Sequence, residues 1–336
     1  RIGVRKTTYM SGVQIKTVKE DEVGMRLDRW FKTHFPELRH GDLEKCLRKG
    51  QIRVAGGRVK ANRRLEIGEE IRVPPIQSEP RPSKPSQFKP EDASAVRDMI
   101  IFEDDEMLAI NKPFGLAVQG GTNTKRHLDG MLASLEKDGE RPRLVHRLDK
   151  DTGGLMLLAK TRQAAQRLGD AFKAHDIEKT YWALAAGAPR PRQGTIDMPI
   201  AKRMIRIGEG EEERVIPADG EGSKKAITDY QTIDEAGYDV AFLAMRPVTG
   251  RTHQLRVHAA AVGSPIIGDG KYGGPRASPE GVSGNLHLFC RTMTFPHPKT
   301  RRKMTLTAPL SGHMLETWKF FAFDANAKCE WPEDIR

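Results

Sequence analysis

The sequence predicts an α+β fold in two parts, a small basic module followed by a larger body with a mainly antiparallel sheet. Three observations lead there. The chain has 336 residues, roughly twice the length of a common single domain. Strand-like and helix-like stretches follow one another irregularly and without a repeating period, which favours mixed antiparallel pairing over regular βαβ units. A proline-rich run from 74 to 90, unable to form a core, separates segments of different charge. Residues 1–90 carry 21 Lys and Arg against 11 Asp and Glu, and the rest carry 35 against 34, so nearly all of the net charge of +11 lies in the first part. The expected divisions are an N-terminal extension (1–24), a basic module (25–73), a linker (74–96), the body (97–325) and a tail (326–336).

Within the module, Met25, Leu27, Trp30, Phe31 and Phe35 have helical spacing, closed by Pro36. Asp42 reads as the N-cap of a second helix over Leu43–Lys49, with Gly50 as its stop. Residues 51–55 and 58–61 flank Gly56-Gly57 as a hairpin, and Leu65–Val73 supplies another strand. In the body, strands are expected near 99–102, 107–110, 155–159, 179–185, 240–245 and 286–295, the last paired with 303–307. Helices are expected over Gln163–His175, with Ala164, Leu168, Ala171 and Phe172 on one face, and over Thr252–Val262, stopped by Gly263. The Gly- and Glu-rich stretch 208–222 reads as a loop.

Composition excludes several classes. Hydrophobic residues make up 38% and charged residues 30%, a globular balance. No apolar run reaches the roughly 18 to 20 residues that span a bilayer, and Arg1–Val18 lacks the apolar core of a secretory signal. Cys46, Cys290 and Cys329 are far apart and form no C-x-x-C pair, which argues against a disulfide framework or a thiolate zinc site and for a reducing, cytoplasmic setting. A clustered basic module most commonly neutralises phosphates, the alternative being a solvated face.

Gly268-Asp-Gly-Lys-Tyr-Gly273 matches the dinucleotide fingerprint formally, but Gly274, Pro275 and Pro279 prevent the helix that must follow it. His253, His258, His287 and His297 have no metal-ligand spacing, and no nucleophile elbow or P-loop is present. The densest polar cluster is His146-Arg-Leu-Asp149-Lys-Asp-Thr-Gly-Gly154, set between Leu144-Val145 and the apolar run 155–159. Arg147 alternates with Asp149, so both can face one side of an extended segment. A salt-bridged turn and a reaction centre are both compatible with that pattern. The second cluster, Gly250-Arg-Thr-His-Gln-Leu-Arg256-Val-His258, gathers arginines and histidines at a helix start, where anions are welcome.

The run His146–Gly154 resembles the H-R-L-D-x-x-T-S-G motif of the large pseudouridine synthase family, which modifies structured RNA. Asn111-Lys-Pro-Phe-Gly-Leu-Ala-Val118, the Lys179-Thr-Tyr181-Trp-Ala strand and Gly250–His258 running on to Gly268–Gly273 agree with it in order and spacing. Residues 25–73 resemble the basic RNA-binding module of ribosomal proteins, so the likeness covers about 300 of the 336 residues. Gly153 departs from the family's usual Ser. The resemblance implies a catalytic domain with a central cleft, no cofactor and no metal, Asp149 as nucleophile, Tyr181 as the aromatic platform for a flipped base, and Arg256 as the cation beside Asp149. It implies RNA contacts by Arg147, Arg251 and Lys112 in the body. In the module, Arg48, Lys49, Arg53, Arg58, Lys60 and Arg63, with Arg39, Lys45 and Arg64, are expected on phosphates. The module with Arg48–Val54 is most similar to the C-type branch acting on the large ribosomal subunit, implying ribosomal RNA, naked or in an assembling particle, as substrate for a monomer without membrane association. A non-catalytic RNA-binding assembly factor and the same chemistry on transfer RNA are the alternatives.

Overall fold

Leu27, Trp30 and Phe31 recur on one face of a short helix because only that spacing buries all three. In a computed structural model of the protein each is at most 1% exposed. The structure describes residues 12–35, 38, 40–75, 90–120, 124, 126–137, 140–208 and 210–331. The chain divides into two units, residues 1–85 and 86–336. In the first, α1 (Leu27–His34) and α2 (His40–Arg48) enclose a core with Ile52, Leu65 and Ile71. Strands β1 (Gln14–Thr17), β2 (Arg53–Val54) and β3 (Glu70–Val73) form a sheet in the order β1-β3-β2.

Several expectations for this unit are corrected. Strand β1 pairs antiparallel with β3, so the module begins well before residue 25. Its residues are largely exposed, and an edge strand that buries no face leaves no alternation to read. Helix α2 starts at His40 rather than at an Asp42 cap, and Asp42 stands in its first turn. The tight turn falls on Ala55 and Gly56, with φ of 47° and 74°, one residue earlier than expected, and 58–61 form no strand. Arg39 and most of the proline-rich run lie outside the described residues.

The second unit opens with α3 (Pro90–Met99), whose Val96 is buried in the main core. That helix belongs to the body rather than to a linker extending to 96. Strands β4 (Ile100–Glu103), β5 (Met107–Lys112), β6 (Arg143–Leu144), β7 (Gly153–Ala159), β8 (Glu178–Ala186) and β9 (Gln193–Asp197) follow. Then come the hairpin β10 (Ile200–Ile207) and β11 (Gly210–Pro217), β12 (Ile227–Ala236), β13 (Val240–Pro247), β14 (Leu288–Pro296) and β15 (Lys303–Thr307). A ten-stranded sheet runs β4-β5-β7-β14-β8-β13-β12-β9, with β15 beside β14 and β6 beside β7. Every pairing is antiparallel except β7 with β14. All seven residues of β7 are buried, as its apolar run requires. Helix α4 (Leu128–Met131) is a single turn, while α5 (Arg162–Ala174) is capped by the Thr161 hydroxyl, which accepts from Ala164 N. Helix α6 (Gln254–Ala261) begins within the second polar cluster, and α7 (Gly312–Phe320) stacks Trp318 on Trp182 with ring centroids 5.8 Å apart.

The stretch expected as a loop at 208–222 is instead largely β11, paired with β10 along its whole length. Glycines at its tip and charges on exposed strand faces disguise a two-stranded ribbon as a loop. The tail from 326 is not separate either: Ala327, Cys329 and Trp331 pack on the core, and Arg246 lies over the Trp331 ring at 4.4 Å. Among the described residues no helix is long and apolar enough to cross a membrane.

The parallel contact of β7 with β14 joins Gly153 to Phe289 and Gly154 to Cys290. Gly154 has φ of +105°, and a Cβ there would lie 2.3 Å from the Cys290 carbonyl oxygen. Gly154→Ala is therefore expected to cost more than about 3 kcal/mol of stability, since backbone cannot yield as a flexible side chain does. Urea unfolding of the purified variant checks this.

Candidate active site

The motif that ends at Gly154 enters the sheet from an extended segment, so its polar residues sit at the sheet's open end. They line a cleft of about 1110 Å³ together with residues from β8, β13 and the start of α6. Asp149, Tyr181 and Arg256, 107 positions apart from first to last, all face it. Asp149 follows Leu148, which anchors the segment at 7% exposure, and its own side chain is 41% exposed. The Asp149 carbonyl accepts from Thr152 N at 3.1 Å, closing a turn. Among the cleft's described carboxylates, Asp229 is held by Arg246 at 2.9 Å and Glu178 lies 3.5 Å from Lys303. Among the described residues Asp149 has neither Lys nor Arg within ion-pair distance; its partner is His253, whose Nε2 is 3.9 Å from Oδ2.

Arg256 makes no direct ion pair with Asp149 among the described residues, although the two charges act on each other. Its Nε and Nη2 donate to the two oxygens of Asp269 at 2.8 and 2.6 Å, and its guanidinium lies over the Tyr272 ring at 5.0 Å. Asp269 is 2% exposed and also accepts from the backbone N–H groups of Lys271 and Tyr272. Despite burial, those hydrogen bonds and the guanidinium hold its carboxyl below its ordinary value. The glycine-rich run 268–273 is thus the receptor for Arg256. Gly268, at φ of +75°, lets it turn where a Cβ would overlap the Asn285 carbonyl.

Lys112 is also reassigned. It is fully buried, and its ammonium donates to the carbonyls of Pro113, Leu116 and Lys150 at 2.9, 2.9 and 3.1 Å. Burial lowers its pKa to about 8, opposed by Asp151 and Asp149. With all three protons engaged it cannot reach a phosphate; it ties the 113–116 loop to the Asp149 turn. Arg147 and Arg251 remain at the mouth, both exposed, the first donating to Gln119 Oε1 at 3.2 Å and the second to the Lys225 carbonyl at 3.1 Å. In the module, Arg53 is turned onto the Gly50 and Gly56 carbonyls and Arg63 onto Glu69. Arg64 caps the Gly24 carbonyl. Arg48, Lys49, Arg58 and Lys60 are exposed, and their side chains carry no hydrogen bond or ion pair among the described residues.

Tyr181 is 9% exposed on β8, opposite Cys290 of β14. Burial raises its pKa well above the ordinary value, with Cys290 and Asp149 adding to the effect, so the phenol keeps its proton. His146 is structural: its Nε2 accepts from Leu157 N at 2.9 Å and its ring packs on Phe172. Gly153 faces the Phe114 ring, 2.7 Å from where its Cβ would be. Phe114 thus occupies the space that a side chain at 153 would need. Sequence reasoning missed His253, Asp269 and Tyr272 as site residues, although their motifs were visible as clusters.

An RNA pseudouridylate synthase family model matches residues 106–261. The ribosomal large subunit pseudouridine synthase C of Yersinia pestis is 34% identical over 305 residues, covering 90% of this chain and 93% of that protein. The chain belongs to the RNA pseudouridylate synthase family and is an isomerase, a pseudouridine synthase. The corresponding synthase C of Escherichia coli (strain K12) is 33% identical, with 90% and 95% of the two chains covered. Among solved structures, human RNA pseudouridylate synthase domain containing 4 has 28% identity and a TM-score of 0.57, covering 68% of this chain and 95% of its own.

Two histidines of the body make stability depend on acid. Burial, with Lys179 nearby, lowers the pKa of His146 from 6.5 to about 3, and burial beside His313 lowers that of His287 to about 4. Below pH 6.5 the unfolded chain takes up protons that the native state refuses, so stability falls as pH falls from about 6.5 to about 4, by up to about 1.4 kcal/mol per pH unit for each group. Urea midpoints at about pH 7 and about pH 5 are expected to show that loss.

Proposed function

We propose that this synthase converts uridine to pseudouridine in large-subunit ribosomal RNA, with Asp149 as its nucleophile and the target base flipped into the cleft. The observation that carries the reading is Asp149 itself: among the described residues it is the cleft carboxylate held by no arginine or lysine, half-open to a ligand beside buried Tyr181. The reaction breaks the bond between N1 and C1′, turns the uracil and joins C5 to C1′; C5 loses a proton and N1 gains one. Nothing is oxidised and no group is imported. A free carboxylate serves addition to the ring, attack at C1′ or abstraction of a sugar proton. A base within folded RNA must first leave its stack, at a cost of a few kcal/mol. The Tyr181 ring is the face that receives it, and Arg147 at the mouth fills the vacated stack or meets the flanking phosphate. The relatives in Yersinia pestis and Escherichia coli, each similar over 90% of this chain, bear names that specify the large ribosomal subunit.

Asp149→Asn is expected to abolish release of tritium from RNA labelled at uridine C5 while changing RNA affinity by less than about threefold, because shape is kept and the nucleophile lost. Turnover near the wild-type rate would refute the assignment. Mapping pseudouridines in ribosomal and transfer RNA from cells with and without the gene tests the substrate.

The module is assigned to phosphate contact through Arg48, Lys49, Arg58 and Lys60. Replacing Arg48, Lys49 and Lys60 together by Ala in the full chain is expected to lower the slope of log affinity against log salt by about 2 to 3, roughly 0.7 to 0.9 for each contact. Turnover at saturating RNA should be preserved. An unchanged slope would make the basic surface a solvated face.

A further inference from the structure

We infer that His253 is a positioning residue for the Asp149 carboxylate, held by Tyr272 as the tautomer whose Nε2–H faces it. The inference rests on the reading of Asp149 as nucleophile and concerns what orients that group, since Arg256 is engaged by Asp269.

A chain of directional contacts sets the tautomer. Val215 of β11 donates its backbone N–H to the Tyr272 hydroxyl at 3.4 Å. That hydroxyl lies 2.7 Å from His253 Nδ1. A phenol has one proton, and burial raises the Tyr272 pKa, so it remains protonated. Among the described residues His253 Nδ1 is the acceptor within reach of the Tyr272 proton, so we assign Tyr272 as the donor to Nδ1. Nδ1 is then the acceptor, and in the neutral ring Nε2 carries the hydrogen. Burial, reinforced by Arg256 and Lys271 against Asp149 and Asp269, lowers the His253 pKa, which favours that neutral ring. Nε2 is 3.9 Å from Asp149 Oδ2, a separation that closes to a hydrogen bond with a modest movement of the half-exposed carboxylate, as apo sites commonly tighten on loading.

The backbone supports the same reading. His253 is the N-cap of α6 and has φ of 55° and ψ of 14°, the left-handed region that few non-glycine residues occupy and that histidine, with asparagine and aspartate, enters more readily than most. Its side chain does not cap the helix. The conformation therefore directs the ring away from the helix end and between Tyr272 and Asp149, where it is 22% exposed.

The test is kinetic and spectroscopic, on the full chain with a ribosomal RNA fragment. His253→Ala is expected to lower kcat about 10- to 100-fold with KM changed less than about threefold, the size of effect that misplacing a reacting group produces. His253→Gln, whose amide N–H can take the place of Nε2–H, should recover to within about fivefold of wild type. Tyr272→Phe keeps the ring beneath Arg256 and removes only the hydroxyl; it should lower kcat about 3- to 10-fold, and have no further effect in the His253→Ala background, because it acts through His253. Nitrogen NMR of ¹⁵N-histidine protein, with His253 assigned by its loss in His253→Gln, should show Nε2 protonated in wild type and a mixture of tautomers in Tyr272→Phe. A kcat within twofold of wild type for His253→Ala, equal losses for Ala and Gln, or an Nδ1–H tautomer in wild type would each overturn the proposal. If His253→Ala fails to fold, Tyr272→Phe and the wild-type spectrum still decide it. An active Asp149→Asn would overturn the nucleophile assignment and this proposal together, whereas an inactive Asp149→Asn beside an unaffected His253→Ala would overturn this one alone.

Discussion

The backbone contact between Gly154 and Cys290 is the constraint on which the body's arrangement depends. It sets β7 between β5 and β14, third along the path of the ten-stranded sheet. The residues just before β7 are thereby delivered to the sheet's end, where no strand covers them. Apolar burial drives β7 inward and the charged residues preceding it cannot follow, since an unpaired buried charge is costly. They collect instead at the boundary between core and solvent. Asp149 is half-exposed there for the same reason that Leu148 and the whole of β7 are buried.

Charge in the cleft is divided between groups that hold the scaffold and groups left over. Lys112 beneath the Asp149 turn, Arg256 on Asp269 and Arg246 on Asp229 are buried or nearly so and paired within the protein. Such pairs contribute little net stability against a well-packed apolar alternative, but losing one partner leaves a stranded charge. Arg147 and Arg251 hold single, long hydrogen bonds and are exposed. The same division runs through the N-terminal unit, where Arg53, Arg63 and Arg64 cap carbonyls or carboxylates while the side chains of Arg48, Lys49, Arg58 and Lys60 are exposed and unpaired among the described residues.

Much of this was legible from residues alone because it rests on periodicity and punctuation. The apolar run at 155–159, the helical face from Ala164 to Phe172 and the apolar stretch 181–185 of the expected strand each have one arrangement that buries them. What escaped was decided by partners remote in sequence. Edge strand β1 and the hairpin β10–β11 bury too little to impress a period on their residues. Lys112 looked like any basic residue beside a loop; three carbonyls from two segments, one of them 38 positions away, make it structural. Arg256 and Asp269 are 13 positions apart across a glycine turn, and only the folded turn reveals that they fit each other. The motifs located the site, then, while the pairings within it required geometry.

Phe114 and Gly153 form a lock that two loops share. The ring lies where a side chain at 153 would project, packed also against Phe289 and His313. The two positions are coupled: a side chain at 153 requires the Phe114 ring to shift, and a small residue at 114 leaves a void against the strand. Glycine at 153, where the resembled motif has serine, is what leaves room for the Phe114 ring. Relatives carrying a side chain at the position of 153 should carry a smaller one at that of 114, so that the two columns of an alignment vary as one.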